Sequence, residues 1–177
     1  MISNIITYNG IINFDPENHT KKHSKQSSWK RVAMVMFDDD ITNYYRWFIE
    51  RRYNLKLNPP LRGSHVSFIN DSINDIKNGL NTDDENYVDK IWNDLKKKYN
   101  NKDITVTFNV DTRSDTEHWW FNVLEENRIE LHNIRAELGL GRPYFGLHMT
   151  IGIVNPKFKE HSDYIVNLCS TFGNEFN

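Results

Sequence analysis

The pattern of apolar and polar residues changes period several times along the chain, and each change marks a predicted element. Residues 1–14 alternate loosely, which predicts an edge strand or a hairpin. Residues 15–30 are polar and predict a loop, and the apolar run 31–37 predicts a buried strand. "DDD" at 38–40 then offers an N-terminal cap and charge for a helix over 41–54, whose apolar residues recur at helical spacing.

A second group of elements begins after the Pro-Pro pair at 59–60, which prevents the first helix from continuing. The apolar run in "SHVSFI", residues 64–69, predicts a strand. Thr82 and Glu85 match a capping box, and the apolar residues behind them keep one helical face. We therefore expect a helix over about 83–98.

The C-terminal half contains three predicted strands and one predicted helix. Alternation predicts strands at 104–110 and 117–124, and the apolar residues of 125–138 predict a helix. Gly139 stands where a C-terminal helix cap is expected. The next strand is predicted from "LHMTIGI" at 147–153.

The order of these elements repeats in the two halves of the chain. In the first half, a strand, a helix and a Pro-containing turn lead to the strand that carries His65. In the second half, a strand, a helix and a Gly/Pro turn lead to the strand that carries His148. Each histidine follows a glycine, Gly63 or Gly146, and has a hydroxyl residue two positions later. We expect the 177 residues to form one domain with two similar halves.

The two His-x-Ser/Thr segments place reactive groups on one face of each strand. Successive strand side chains point to opposite faces, so His65 shares a face with Ser67, and His148 with Thr150. Histidine titrates near neutral pH, so one imidazole can accept a proton while the other donates one. Two facing imidazoles can flank a phosphodiester while the hydroxyls donate hydrogen bonds to its non-bridging oxygens. Such a reaction requires no metal and no other cofactor.

Composition and charge narrow the range of partners. The net charge of -2 argues against a protein that grips long nucleic acid through its phosphates, but not against a small nucleotide. No segment reaches the roughly 20 apolar residues of a membrane span, and the N-terminus lacks a signal-peptide pattern. The single cysteine, Cys169, excludes an internal disulfide, so we expect a cytosolic protein. The abundance of Asn, Lys and Ile is typical of AT-rich genomes, including those of phages.

The segments "HVSF" and "HMTI" resemble the two signature motifs of the two-histidine (2H) phosphoesterases. The resemblance covers roughly residues 31–155, which include both motifs and the order of the elements around them. The surrounding "LRGSHVSFIN" and "GRPYFGLHMTIGIVNP" are most similar to the phage anti-CBASS cyclic-oligonucleotide nucleases. The resemblance implies an α+β, bilobal, LigT-like fold with two pseudo-symmetric lobes of antiparallel sheet, helices outside and a central groove. It also implies that His65, Ser67, His148 and Thr150 are catalytic. Ser67 replaces the threonine that is commoner in the family and keeps its hydroxyl.

This resemblance implies a metal-independent phosphodiesterase that hydrolyses 3'-5' bonds of cyclic di- and trinucleotide second messengers such as 3',3'-cGAMP. A phage would use it in the cytoplasm of the bacterial host to evade CBASS immunity. Two alternatives stay open: a 2',3'-cyclic phosphodiesterase that acts on RNA ends, and a protein that sequesters nucleotides without cleaving them. The sequence leaves open the oligomeric state, the preferred bases and which histidine is the base.

Four residues near the motif strands are candidates for substrate binding. Aromatic side chains stack on bases, which favours Trp29 at the end of the polar loop and Tyr144 in the turn before the second motif strand. Arg62 and Arg142 precede the two motif strands and carry charges that can pair with phosphate. The other histidines, including His118, lack a hydroxyl two residues later, and most are predicted to be ordinary surface or sheet positions.

Overall fold

The computed structural model describes residues 4–16, 31–163 and 165, apart from the side chains of residues 125–127. The strands are β1 (Ile5–Phe14), β2 (Ala33–Met36), β3 (Leu57–Asn58), β4 (His65–Ile69), β5 (Asp103–Ser114), β6 (His118–Val123) and β7 (His148–Val154). The helices are α1 (Asp40–Tyr53), α2 (Ile73–Gly79), α3 (Glu85–Tyr99) and α4 (Glu125–Ala136). Pro156–Phe158 forms a 3-10 turn, and residues 159–163 continue it as a helix. Within these residues, no helix is both long enough and apolar enough to cross a membrane.

The seven strands belong to one antiparallel sheet in the order β3-β7-β4-β2-β1-β5-β6. Strand β7 pairs with β6 as well as with β4, so the sheet closes into a barrel. The α+β class expected for the chain is therefore present.

The repeated order of elements appears in the strand pairing. In the first half, β2 leads through α1 to β4, and β2 and β4 pair with each other. In the second half, β6 leads through α4 to β7, and these two strands also pair. The two motif strands, β4 and β7, lie side by side through the pair of Val66 and Met149.

The apolar residues between the motif side chains lie in the core. Val66, Phe68, Met149 and Ile151 are completely buried. Burying side chains of this size stabilises the fold by about 1.5–3 kcal/mol each. Because alternate strand residues face opposite sides, this burial leaves the histidines and hydroxyls of both strands on the other, half-buried face.

The N-terminal strand and two short elements differ from the prediction. Strand β1 is neither an edge strand nor a hairpin, because it pairs with β2 on one side and β5 on the other. Strand β3 has 2 residues and α2 has 7, so neither is long enough to show a clear hydrophobic period.

The capping box predicted at Thr82 is wrong. The N-cap of α3 is Asp84, whose Oδ1 accepts a 2.9 Å hydrogen bond from the backbone nitrogen of Asn86. The Thr82 hydroxyl instead accepts a bond from the backbone nitrogen of Asp84. A capping box does occur at α2, between Ser72 and Asp75.

Candidate active site

One groove of about 510 Å³ is lined by all four residues of the two His-x-Ser/Thr motifs: His65, Ser67, His148 and Thr150. The size is suited to a small ligand. The sequence places each hydroxyl beside its own histidine, and the fold brings the two pairs into the same groove.

The register of β4 against β7 places each histidine near both hydroxyls. The two strands are antiparallel and meet at the second residue of each. The first residue of each strand is therefore level with the third residue of the other. This register puts His65 level with Thr150 and His148 level with Ser67.

Both imidazole rings are held in the same way. Nδ1 of His65 lies 2.8 Å from the carbonyl oxygen of Gly63, and Nδ1 of His148 lies 3.2 Å from that of Gly146. The two glycines have left-handed φ angles of 73° and 67°, which glycine adopts without a Cβ penalty. When Nδ1–H is donated to a carbonyl, the neutral ring leaves Nε2 to exchange protons with a ligand.

Asp39 supports the His65 side of the groove from the start of α1. Its Oδ1 accepts a 2.6 Å hydrogen bond from the backbone nitrogen of Ser64. The expectation that "DDD" caps the helix with a side chain is wrong for Asp39, which stands at the cap position but makes no side-chain cap bond. A Cβ atom at Gly63 would lie 2.9 Å from the same carboxylate oxygen, so the contact also favours glycine there.

Burial lowers the pKa of both groove histidines. Desolvation is the main cause for His65; the bond to Gly63 opposes it, and the charges of Arg62 and His148 add to it. Desolvation is also the main cause for His148, and the charge of His118 adds to it. At a given pH, both rings are therefore neutral more often than an exposed histidine.

One end of the groove is cationic. Arg62 lines this end just before β4, and burial lowers the pKa of its guanidinium. His118 lines the same end because it pairs with Ile153, which lies three residues beyond Thr150 on β7. His118 is a sheet residue, as predicted for most of the other histidines, and the pairing of β6 with β7 also brings it into the groove lining.

The other end of the groove is aromatic. Tyr144 and Phe145 line it and are 93% and 83% exposed, so both rings are open to a ligand. The ring centroids lie 4.8 Å apart with the planes at 87°. The sequence predicts Tyr144 as a substrate-binding residue, and the structure adds Phe145, the next residue in the same turn, to the groove lining.

Arg135 joins the two loops at the aromatic end. This arginine is 1% exposed and pairs through two nitrogens with both carboxylate oxygens of Asp71, at 2.7 and 3.0 Å. It also donates hydrogen bonds to the carbonyl oxygens of Phe68 on β4 and Gly141 in the turn before β7. The charge of Asp71, which lines the groove, is therefore already matched.

Similarity to known proteins does not decide what this groove does. Comparisons with protein-family models, with curated proteins and with solved structures find no match to this chain. The resemblance to the 2H phosphoesterases therefore rests on the two His-x-Ser/Thr segments alone.

Trp29 and Arg142 are the other two predicted binding residues. Trp29 lies outside the described residues. Arg142 is exposed, two residues before Tyr144, and is not part of the groove lining. Among the described residues, no cluster of three or more His, Cys, Asp or Glu side chains is arranged to hold a metal ion.

Proposed function

We propose that this protein is a metal-independent phosphodiesterase that cleaves 3'-5' bonds of cyclic di- and trinucleotides such as 3',3'-cGAMP. One observation carries the proposal: His65 and His148 lie on neighbouring strands of one groove, and each donates Nδ1–H to the carbonyl of a preceding glycine. This arrangement leaves Nε2 of both rings available for general acid and base catalysis.

The reaction that fits the two imidazoles is an internal transfer at phosphorus. One histidine takes the proton of a ribose 2'-OH, and the 2'-oxygen forms a bond to the adjacent phosphorus. The bond from phosphorus to the 5'-oxygen breaks, and the other histidine gives that oxygen a proton. The products are a linear nucleotide with a 2',3'-cyclic phosphate and a free 5'-OH. The near-equal settings of His65 and His148 leave either able to be the base.

Ser67 and Thr150 would stabilise the transition state in this reaction. Negative charge grows on the non-bridging oxygens of the phosphate while both phosphorus–oxygen bonds are partly formed. Hydroxyl donors already held on the strands beside the imidazoles stabilise that charge without reorganising. Each hydroxyl lies level with the histidine of the opposite strand, so both can reach one phosphate between the rings.

The character of the groove favours a small nucleotide as the substrate. Tyr144 and Phe145 offer exposed rings for base stacking, at about 1–3 kcal/mol per base. The net charge of -2 does not favour a long polyanion. A phage that makes such an enzyme would remove the cyclic nucleotide alarm of CBASS immunity in the cytoplasm of its bacterial host.

The test is incubation with 3',3'-cGAMP followed by chromatography. Wild type should yield a linear product with EDTA present, while His65→Ala and His148→Ala should yield none. His161→Ala is the matched control, because this exposed histidine lies outside the groove lining. Full activity in either motif variant would exclude the mechanism.

A parallel incubation with 2',3'-cyclic AMP separates the rival functions. A protein that opens 2',3'-cyclic AMP and leaves 3',3'-cGAMP intact would be a phosphodiesterase of RNA ends. Recovery of intact 3',3'-cGAMP from the protein after heating would indicate sequestration without cleavage.

A further inference from the structure

His118 is a third histidine in the groove, and the sheet determines its place. It lies opposite Ile153 of β7, so it stands beyond Thr150 and away from the aromatic turn that precedes β7. Its side chain is 45% exposed, which leaves the ring accessible to a ligand. The two motif histidines already account for the acid and the base, so His118 needs another role.

Asp115 holds the His118 ring. The Oδ1 atom of Asp115 lies 3.3 Å from Nδ1 of His118 and accepts hydrogen bonds from the backbone nitrogens of His118 and Glu117. Partial burial raises the pKa of the Asp115 carboxyl, but these bonds and the His118 charge outweigh it, and the net pKa is lowered. An ionised Asp115 that engages Nδ1 leaves Nε2 of His118 to meet the ligand.

The charges in the groove are separated along its length. Arg62 and His118 lie toward the same end, since Arg62 precedes His65, which is level with Thr150, and His118 pairs with Ile153 farther along β7. The acidic lining residues lie at the other end, where Asp71 is matched by Arg135 and Asp75 accepts two bonds from Ser72. The cationic end therefore suits an anion other than the one between the motif histidines.

We infer that His118, held by Asp115 and assisted by Arg62, binds the phosphate of the substrate that is not cleaved. The inference rests on the proposed function and deepens it, because it requires a substrate with two bridging phosphates. A cyclic dinucleotide has one phosphodiester for the motif histidines and a second for the cationic end. A substrate with a single 2',3'-cyclic phosphate has no second phosphate for His118 to bind.

The experiment compares 3',3'-cGAMP with the dinucleoside monophosphates GpA and ApG. These two compounds keep both bases and one 3'-5' bond but lack the second bridging phosphate. In His118→Gln, KM for 3',3'-cGAMP should rise about tenfold, while KM for GpA and ApG should rise no more than about twofold. Asp115→Asn should act in the same direction, and His161→Gln is the matched control. An equal rise for all three compounds, or no rise for any, overturns the inference.

Calorimetric binding in a His148→Ala background makes the test independent of cleavage. If replacing His118 weakens binding of 3',3'-cGAMP but wild type never cleaves it, the phosphate site stands and the proposed function fails. If wild type cleaves 3',3'-cGAMP and His118→Gln changes neither KM nor affinity, the function stands and the phosphate site fails. Absence of any binding to wild type overturns both.

Discussion

The carboxylate of Asp39 accepts a 2.6 Å hydrogen bond from the backbone nitrogen of Ser64. Asp39, just before helix α1, therefore holds Ser64, the residue before His65. Nδ1 of His65 in turn contacts the carbonyl oxygen of Gly63. Ser64 is completely buried, and its hydroxyl and that of Thr42 lie 2.7 Å apart. The position of the His65 ring is thus determined by contacts with α1 as well as by its own strand.

We predict that Asp39 is a positioning residue for His65. Asp39→Ala leaves the Ser64 nitrogen without its acceptor, and kcat should fall about tenfold or more because the ring is misplaced. Asp39→Asn retains an acceptor oxygen and should restore most of kcat. Asp38→Ala, in the same acidic run and likewise exposed, is the control. Equal losses of kcat in Asp39→Ala and Asp39→Asn would show that Asp39 supports catalysis through its charge and not by positioning His65.

We predict that Tyr144 and Phe145 bind a base. Replacing either ring by alanine should raise KM for 3',3'-cGAMP about tenfold, in keeping with the loss of one stacking contact, and leave kcat nearly unchanged. Neither ring is buried, so the midpoint of thermal unfolding should not move. Tyr87→Ala removes an exposed ring on α3 and serves as the control. An unchanged KM in both groove variants would contradict stacking at this end.

The pH dependence of kcat/KM should reflect the lowered pKa values of His65 and His148 in the free protein. One ring must be neutral and the other protonated, so activity peaks between their two pKa values. Both values lie below the usual 6.5 of histidine, so the peak should fall below pH 6.5 and kcat/KM should decline above it. Bound phosphate favours the protonated rings, so the profile of kcat should lie at higher pH than that of kcat/KM. A peak of kcat/KM above pH 7 would contradict this assignment.

We predict that the buried pair of Arg135 and Asp71 stabilises the fold as well as the aromatic end of the groove. Asp71→Asn leaves the buried guanidinium without a counter-charge and should lower the free energy of unfolding by about 3 kcal/mol. Urea unfolding measures the change. The pair of Lys56 and Glu50, whose lysine is exposed, is the comparison, and Lys56→Ala should cost less than about 1 kcal/mol. Equal effects of the two substitutions would show that burial does not strengthen the Arg135 pair.

Local patterns in the sequence were enough to predict most of the secondary structure. Alternation identified β4 and β7, and it separated the faces of Val66 and Met149 from those of the motif residues. Gly139 also has the left-handed φ of 68° expected after a helix. These features depend on residues only a few positions apart in the chain, so they can be predicted from a single sequence.

The sequence by itself determined that two strands each present a histidine beside a hydroxyl, since a period of two residues is a local property. Only the tertiary structure decided that β4 lies beside β7 in the register that brings the two pairs together. It also decided that the Asp39 side chain binds the Ser64 nitrogen and not the first turn of α1, and that His118 lies in the groove. These contacts join residues far apart in the chain, and their energies depend on strand pairing and burial that no local pattern records.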